Sequence, residues 1–410
     1  MKKSFPIIDK ILIFTLFLFT ASSMFSISIS QVSAGVGGFF WLLRTHLTDT
    51  WKEQRWPLGI PFGLFVLACL IAVVNAYDVN YSYSSLKKLL EFLIFFWVLN
   101  CVRDNNLRNS LSLILITSAT LAGLFGLYQY WQVFDFNQKF SIFIVSENRP
   151  EGTLSTYMTF AGLLMLAGVI ALAKILFQKP THKWLLGSIG IITLSLLLNL
   201  SRQTWFGFLI ALIFLVFFWR KKILLLIPII LLVIYVASPL VVNPANYLSV
   251  QQRVKSTLSG EDRTFTMRTA LWKGGWKIFK DYPLTGCGFR CVDLVNSQYP
   301  DPTGYVARFR GMHNNLIQVA VDTGILGVTA WLGIWFYFFR FLYHKAITLE
   351  KNANERWVIL GSAAAMLAFL AAGFFETNFY DSEVAMLLYF IMALPFSGNQ
   401  KNLKAFHKKV

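Results

Sequence analysis

Residues 263–291 read RTFTMRTALWKGGWKIFKDYPLTGCGFRC, the centre of one long polar insert, Ser238 to His313, in a chain that is otherwise one apolar run after another. Thr264 to Lys280 has a helical period: Leu271, Trp272, Trp276 and Phe279 make one apolar side, and Arg268, Lys273, Lys277 and Lys280 supply cations. Such a helix suits a membrane surface. It should stop at Asp281-Tyr282-Pro283, with Gly286-Cys287-Gly288 turning the chain after it. The whole insert carries ten positive charges (Arg253, Lys255, Arg263, Arg268, Lys273, Lys277, Lys280, Arg290, Arg308, Arg310) against five negative (Glu261, Asp262, Asp281, Asp293, Asp301).

Working outward, the 410 residues are 56% hydrophobic and 14% charged, more apolar sequence than a soluble core of this length can hide. Runs of bilayer-spanning length, about 20 residues each, fall near 9–25, 28–44, 58–75, 86–102, 110–131, 153–178, 184–200, 203–219, 223–241, 314–340, 357–377 and 383–397. The expected fold is an all-α polytopic membrane protein of about twelve transmembrane helices, with one large loop containing short amphipathic helices. Its parts are helices 1–9 in 1–237, the loop 238–313, three more helices in 314–397 and a basic tail 398–410. The first run resembles a signal peptide, with Lys2, Lys3 and Lys10 ahead of Ile11–Leu18, and is read as a retained helix because further spans follow.

The formal charge of +17 could suggest nucleic acid, but the basic residues fall in short clusters between apolar runs, which is the pattern of topology signals. Alternating sides gathers Lys10, Arg44, Lys52, Arg55, Arg103, Arg108, Lys174, Lys179, Lys183, Arg220–Lys222, Arg340, Lys345, Lys351, Arg356 and the Lys401–Lys409 tail on one side. The positive-inside rule makes that side, and both termini, cytoplasmic. Short loops opposite, Tyr77–Ser85 and Glu376–Glu383, lack Lys and Arg, so the basic insert lies outside and its charges are not explained by orientation.

The same sorting leaves His313 as the one imidazole on the outer side, since His46, His182, His344 and His407 fall on inner loops or the tail. At a water–membrane boundary, beside Arg308, Arg310 and Asn314, it suits a general base. Arg202 stands in a short turn between two apolar runs, where a guanidinium is costly unless it meets an anion or snorkels to headgroups. Arg149, in Asn148-Arg149-Pro150-Glu151-Gly152, precedes a helix start. Lys87 and Lys88 open the fourth span from that side, with Glu91 spaced to pair with Lys87. Several cations on one face fit a diphosphate, whose oxygens match the guanidinium fork.

These residues carry a resemblance. Ser201-Arg202 at a helix start, Arg268-x-x-x-Trp272, Pro283-x-x-Gly286-x-Gly288, His313-Asn314 and Gly324-x-x-Gly327 are similar to the O-antigen ligase and O-antigen polymerase family, most densely from Leu198 to Leu342. Arg149-x-x-Gly152-Thr153 resembles a weaker family motif, and departs from it at Thr156-Tyr157, where members often carry Asn-Pro. The resemblance implies a GT-C-like fold with the large loop periplasmic, and a transferase of the bacterial inner membrane working at its periplasmic face. It would move a glycan from undecaprenyl diphosphate to lipid A-core (a ligase) or to another carrier-linked repeat (a polymerase). Arg202 and Arg268, with Arg149, would bind the diphosphate, and His313 would take the acceptor's proton. Asn314, Arg263, Arg308, Arg310, Lys87, Lys88 and Trp272 are supporting candidates.

That scheme requires no metal and no cofactor. Cys287 and Cys291 with His313 could be drawn as a zinc site, but a Cys287–Cys291 disulfide suits an oxidising compartment better. A lipid-linked oligosaccharide transporter would place ionisable residues near mid-membrane and often show repeat symmetry, whereas these charges stand at the rim. No P-loop, dinucleotide fingerprint or nucleic-acid module is present in the sequence.

Overall fold

Every regular element among the described residues is helical. The computed structural model describes residues 5–133, 149–226, 263–309, 311–349 and 354–398, with isolated positions at 228, 229, 232, 236 and 255. Most of the expected span 223–241, the head of the insert with Arg253, Glu261 and Asp262, Arg310, and the tail beyond 398 lie outside them.

The apolar runs become helices close to where the sequence puts them. Among the described residues three are long and apolar enough to cross a membrane, Asn105–Gln132, Tyr157–Phe177 and Asn315–Thr348, beside shorter apolar helices such as Gly59–Val74, Trp184–Leu198 and Arg356–Ala372. Packing between them relies on small residues: a Cβ on Gly207 would lie 2.5 Å from the Ala368 carbonyl oxygen, so the helices Arg202–Arg220 and Arg356–Ala372 touch backbone to backbone.

Two expectations need correction. The run 86–102 is not one helix but two pieces, a 3-10 turn Leu86–Glu91 and the helix Phe92–Cys101, preceded by a separate short helix Val79–Ser85. Asp78 nucleates that short helix by accepting the Tyr81 N–H at 2.9 Å. Tight 3-10 winding aligns residues three apart, so Glu91 interacts with Lys88, not with Lys87. The run 357–377 ends at Ala372, which frees Gly373–Thr377 as a loop.

The described part of the insert folds onto a break in the long helix. Gly324 leaves helical geometry (φ 61°, ψ −162°), and the Ile325 N–H bonds to the Pro283 carbonyl at 2.9 Å instead of to its own helix. Cys287 N–H in turn donates to Val321 O at 2.9 Å. A Cβ on Gly324 would collide with the backbone of Leu284, so the Pro283 turn can dock only on glycine.

Far from that docking, cations close the end of the last helix, Ser382–Ala393, and the 3-10 turn after it. Arg55 donates to Phe396 O at 2.7 Å, Arg108 to Ser397 O at 2.9 Å and Lys345 to Pro395 O. Terminal carbonyls without intrahelical partners are thereby satisfied. Arg108→Ala should destabilise the protein by about 3 kcal/mol, because it strands buried carbonyls and the nearby Glu355. An unchanged thermal midpoint of the purified variant would show the cap to be idle.

Candidate functional site

The helices Tyr157–Phe177, Arg202–Arg220, Asn315–Thr348 and Ser382–Ala393 all begin around one cavity of about 680 Å³. Three of these starts are fixed by side-chain caps. Thr156 accepts the Thr159 N–H at 3.1 Å, Asn314 accepts Ile317 N–H at 3.0 Å, and Asp381 accepts Glu383 N–H at 3.1 Å. Capping brings polar residues to the helix starts, and these line the cavity: Ser155, Thr156 and Thr159, then Gln203 and Thr204, then Gln318, then Asp381 and Glu383. Thr159 donates to Asp381 at 2.5 Å and Ser155 to Glu383 at 3.4 Å.

His313 stands at the rim. Its Nδ1 is 3.2 Å from Glu376 Oε2, and Glu376 lines the cavity, as does Gly311 two residues before the histidine. His313 adopts φ +45°, a left-handed conformation that a β-carbon disfavours and that surrounding contacts must hold. They do so on both sides. Met312 N–H donates to Gln318 Oε1 at 2.8 Å, Asn314 Nδ2 to Phe374 O at 3.1 Å, and Asn315 N–H to Gly373 O at 2.7 Å.

The same loop receives Arg268. Its Nε donates to Phe375 O at 3.0 Å, and its guanidinium lies 5.7 Å from the centre of the Phe375 ring. Phe206, one turn into the helix that Arg202 begins, packs edge-on against Phe375 at 5.9 Å. Arg202 itself is exposed, immediately before the cavity-lining Gln203 and Thr204. Its turn is tied to the Arg149 segment through Asn199, whose Nδ2 donates to Pro150 O at 2.6 Å and Tyr157 O at 2.9 Å. Arg149 stacks on Tyr157 at 4.7 Å. His313, Arg268 and the Arg202 turn therefore meet around Phe375 and Glu376, with Arg149 one contact further out.

Of the supporting candidates, Lys88 lines the cavity and donates to Tyr380 O and to Ser382 Oγ, the latter at 2.9 Å. Asn314 acts as helix cap and as strut to Phe374, and Trp272 lies 6.3 Å from Phe375, ring to ring. Lys87 and Arg308 are exposed and are not among the cavity's lining residues, and Arg263 opens the helix Arg263–Asp281. Arg310 lies outside the described residues.

That helix runs one residue beyond each expected end, but its buried side differs from the predicted one. Leu271, Gly274, Gly275 and Ile278 are buried, while Trp276 is 57% exposed. Two adjacent glycines let the backbone approach Val306, Met312 and Ile317 more closely than the bulky rings could. Cys287 and Cys291 are disulfide-bonded, and their neighbour is Asp322, 3.7 Å from Cys291 Sγ, not His313. The zinc arrangement drawn from sequence is not the one the fold assembles.

Sequence reasoning missed Glu376, Asp381, Glu383 and Arg290. Three acids within an apolar stretch were the available signal for the first three. Arg290 lines the cavity from the disulfide-closed loop, at φ +62°, with its guanidinium 5.7 Å from the Tyr380 ring centre. Burial, and then the Asp322 carboxylate, push the Tyr380 phenol well above its ordinary range, so it stays neutral.

Residues 187–332 match the family described as O-antigen ligase. No curated protein matches the chain. The matched stretch holds Arg202, Arg268, Arg290 and His313 and stops short of the Gly373–Glu383 loop that positions them. Over residues 187–332, the chain is therefore similar to the O-antigen ligase family.

Proposed function

We infer that the chain joins a glycan carried on undecaprenyl diphosphate to an acceptor sugar of lipid A-core at the periplasmic face of the bacterial inner membrane. The observation that carries this reading is the Phe375–Glu376 pair: one residue's carbonyl binds Arg268 and the next residue's carboxylate binds His313, at the edge of a cavity lined with hydroxyls, amides and acids. With Nδ1–H donated to Glu376, His313 keeps Nε2 as the acceptor of a proton. The acceptor hydroxyl attacks the anomeric carbon, its proton passes to Nε2, and the bond to the diphosphate oxygen breaks. Arg268 and Arg202, with Arg149 behind them, meet the negative charge that develops on the leaving group. The polar cavity is of a size usual for ligand sites and suits sugar hydroxyls.

The cations that cap the far end of the bundle support a cytoplasmic assignment for that end. A cysteine at Lys273, labelled by an impermeant maleimide from outside spheroplasts, tests it; labelling only after lysis would invert the topology.

His313→Ala should lower glycan transfer about 100- to 10,000-fold with protein level and carrier-linked donor intact. Glu376→Gln should cost about 10- to 100-fold, mostly in kcat, with partial recovery in Glu376→Asp. Normal transfer in the histidine variant, assayed by gel analysis of surface glycolipid, ends the general-base assignment.

Arg202→Lys keeps the charge but loses the fork, and should lower activity roughly tenfold or more. A fully active lysine variant would instead assign Arg202 to headgroup snorkelling.

A further inference from the structure

Arg290 lines the polar cavity with its hydrogen-bonding capacity almost unspent. A guanidinium carries five N–H donors in one plane. The carboxylate it pairs with, Asp293, stands 3.9 Å away, beyond a hydrogen bond, and already takes the Tyr81 hydroxyl at 2.9 Å. Among the described residues its other partner is the Tyr380 ring, over which the guanidinium lies 5.7 Å from the centre. The side chain remains 31% exposed.

The backbone that delivers it is held from several sides. Arg290 has φ +62°, a conformation that a β-carbon disfavours and that needs support from its surroundings. Cys287 is bonded to Cys291, Tyr77 N–H donates to Cys287 O and Cys291 N–H to Gly288 O, both at 2.8 Å, and the buried Phe289 meets Tyr380 edge-on at 5.5 Å. The guanidinium is therefore aimed before any ligand arrives.

A second cation shares that wall. Lys88 spends two of its three N–H groups on Tyr380 O and Ser382 Oγ and lines the same cavity. It is close enough to Arg290 for the two charges to repel, and an anion shared by both relieves that repulsion. The neighbouring acids are engaged within the chain: Glu376 with His313, Asp381 with the Glu383 N–H and the Thr159 hydroxyl, Glu383 with Ser155.

Order along the Gly373–Glu383 loop separates this pair from the arginines assigned to the leaving group. Arg268 is held at Phe375, His313 at Glu376, and Lys88 and Arg290 at Tyr380. Along the loop the base thus stands between two cationic groups, one given to the diphosphate and one left for the incoming sugar. We propose that Arg290, with Lys88, binds a negatively charged substituent of the acceptor glycan, a carboxylate or a phosphate, and so selects an acidic acceptor. The assignment rests on the transferase reading above.

Binding is measured with purified full-length protein in phosphatidylethanolamine nanodiscs. The probes are undecaprenyl diphosphate and a core oligosaccharide freed from lipid A, the latter intact, with its phosphates removed, with its carboxyls reduced to alcohols, or with both changes. Wild type should bind the intact oligosaccharide about tenfold more tightly than the doubly treated one, and the single treatment that lowers affinity names the group. Arg290→Gln should weaken the intact form about tenfold and leave the doubly treated form and undecaprenyl diphosphate within about twofold of wild type. Arg290→Lys, which keeps the charge without the fork, should fall between. Equal wild-type affinity for the intact and doubly treated forms overturns the proposal without recourse to any variant. So does unchanged affinity for the intact form in Arg290→Gln, a parallel loss of every probe, or a loss confined to undecaprenyl diphosphate, which would give Arg290 to the leaving group. A protein that shows the expected preference and yet transfers no glycan refutes the transferase reading and leaves this anion site standing.

Discussion

Just beyond the helix Arg356–Ala372, the carbonyls of Gly373, Phe374 and Phe375 have no partner in their own helix, and each is met by a group from elsewhere in the chain. The Asn315 N–H, the Asn314 side chain and Arg268 Nε are those donors, and Glu376 follows with its hold on His313. A buried carbonyl left unpaired costs about 1–3 kcal/mol, so the loop and the two segments that reach it, residues 313–315 and the helix carrying Arg268, are fixed together. The left-handed backbone of His313 persists because of that mutual constraint.

Much of the fold could be read from the chain because apolar runs of bilayer length have few alternatives. The insert helix was legible in its extent and not in its orientation: periodicity assigned Trp276 to the contact face, whereas the paired glycines decide which side can come close. The failure at 86–102 was of the same kind. Hydropathy is blind to 3-10 winding, which divides the run after Glu91.

For the site, His313, Arg202 and Arg268 stood out because polar groups at an apolar boundary need a reason to be there. Their partner was hidden. Glu376 is 63 residues from His313, and nothing local in either segment announces the pairing. Arg290 was counted as one more charge of a basic loop; its place on the cavity wall depends on the Cys287–Cys291 bond and a docking turn at Pro283, both tertiary facts.

The four helices that begin around the cavity therefore run in the same sense, and their peptide dipoles add instead of cancelling. Side-by-side alignment of that kind is unfavourable unless each pole is compensated. At the negative pole the chain supplies Lys174, Arg220 and Lys345 in the last turns, with Arg55 and Arg108 alongside. At the positive pole the chain supplies the carboxylates of Glu376, Asp381 and Glu383, so each end of the bundle carries charge opposite to its helix pole, and a guest at the opening meets those carboxylates beside Lys88 and Arg290.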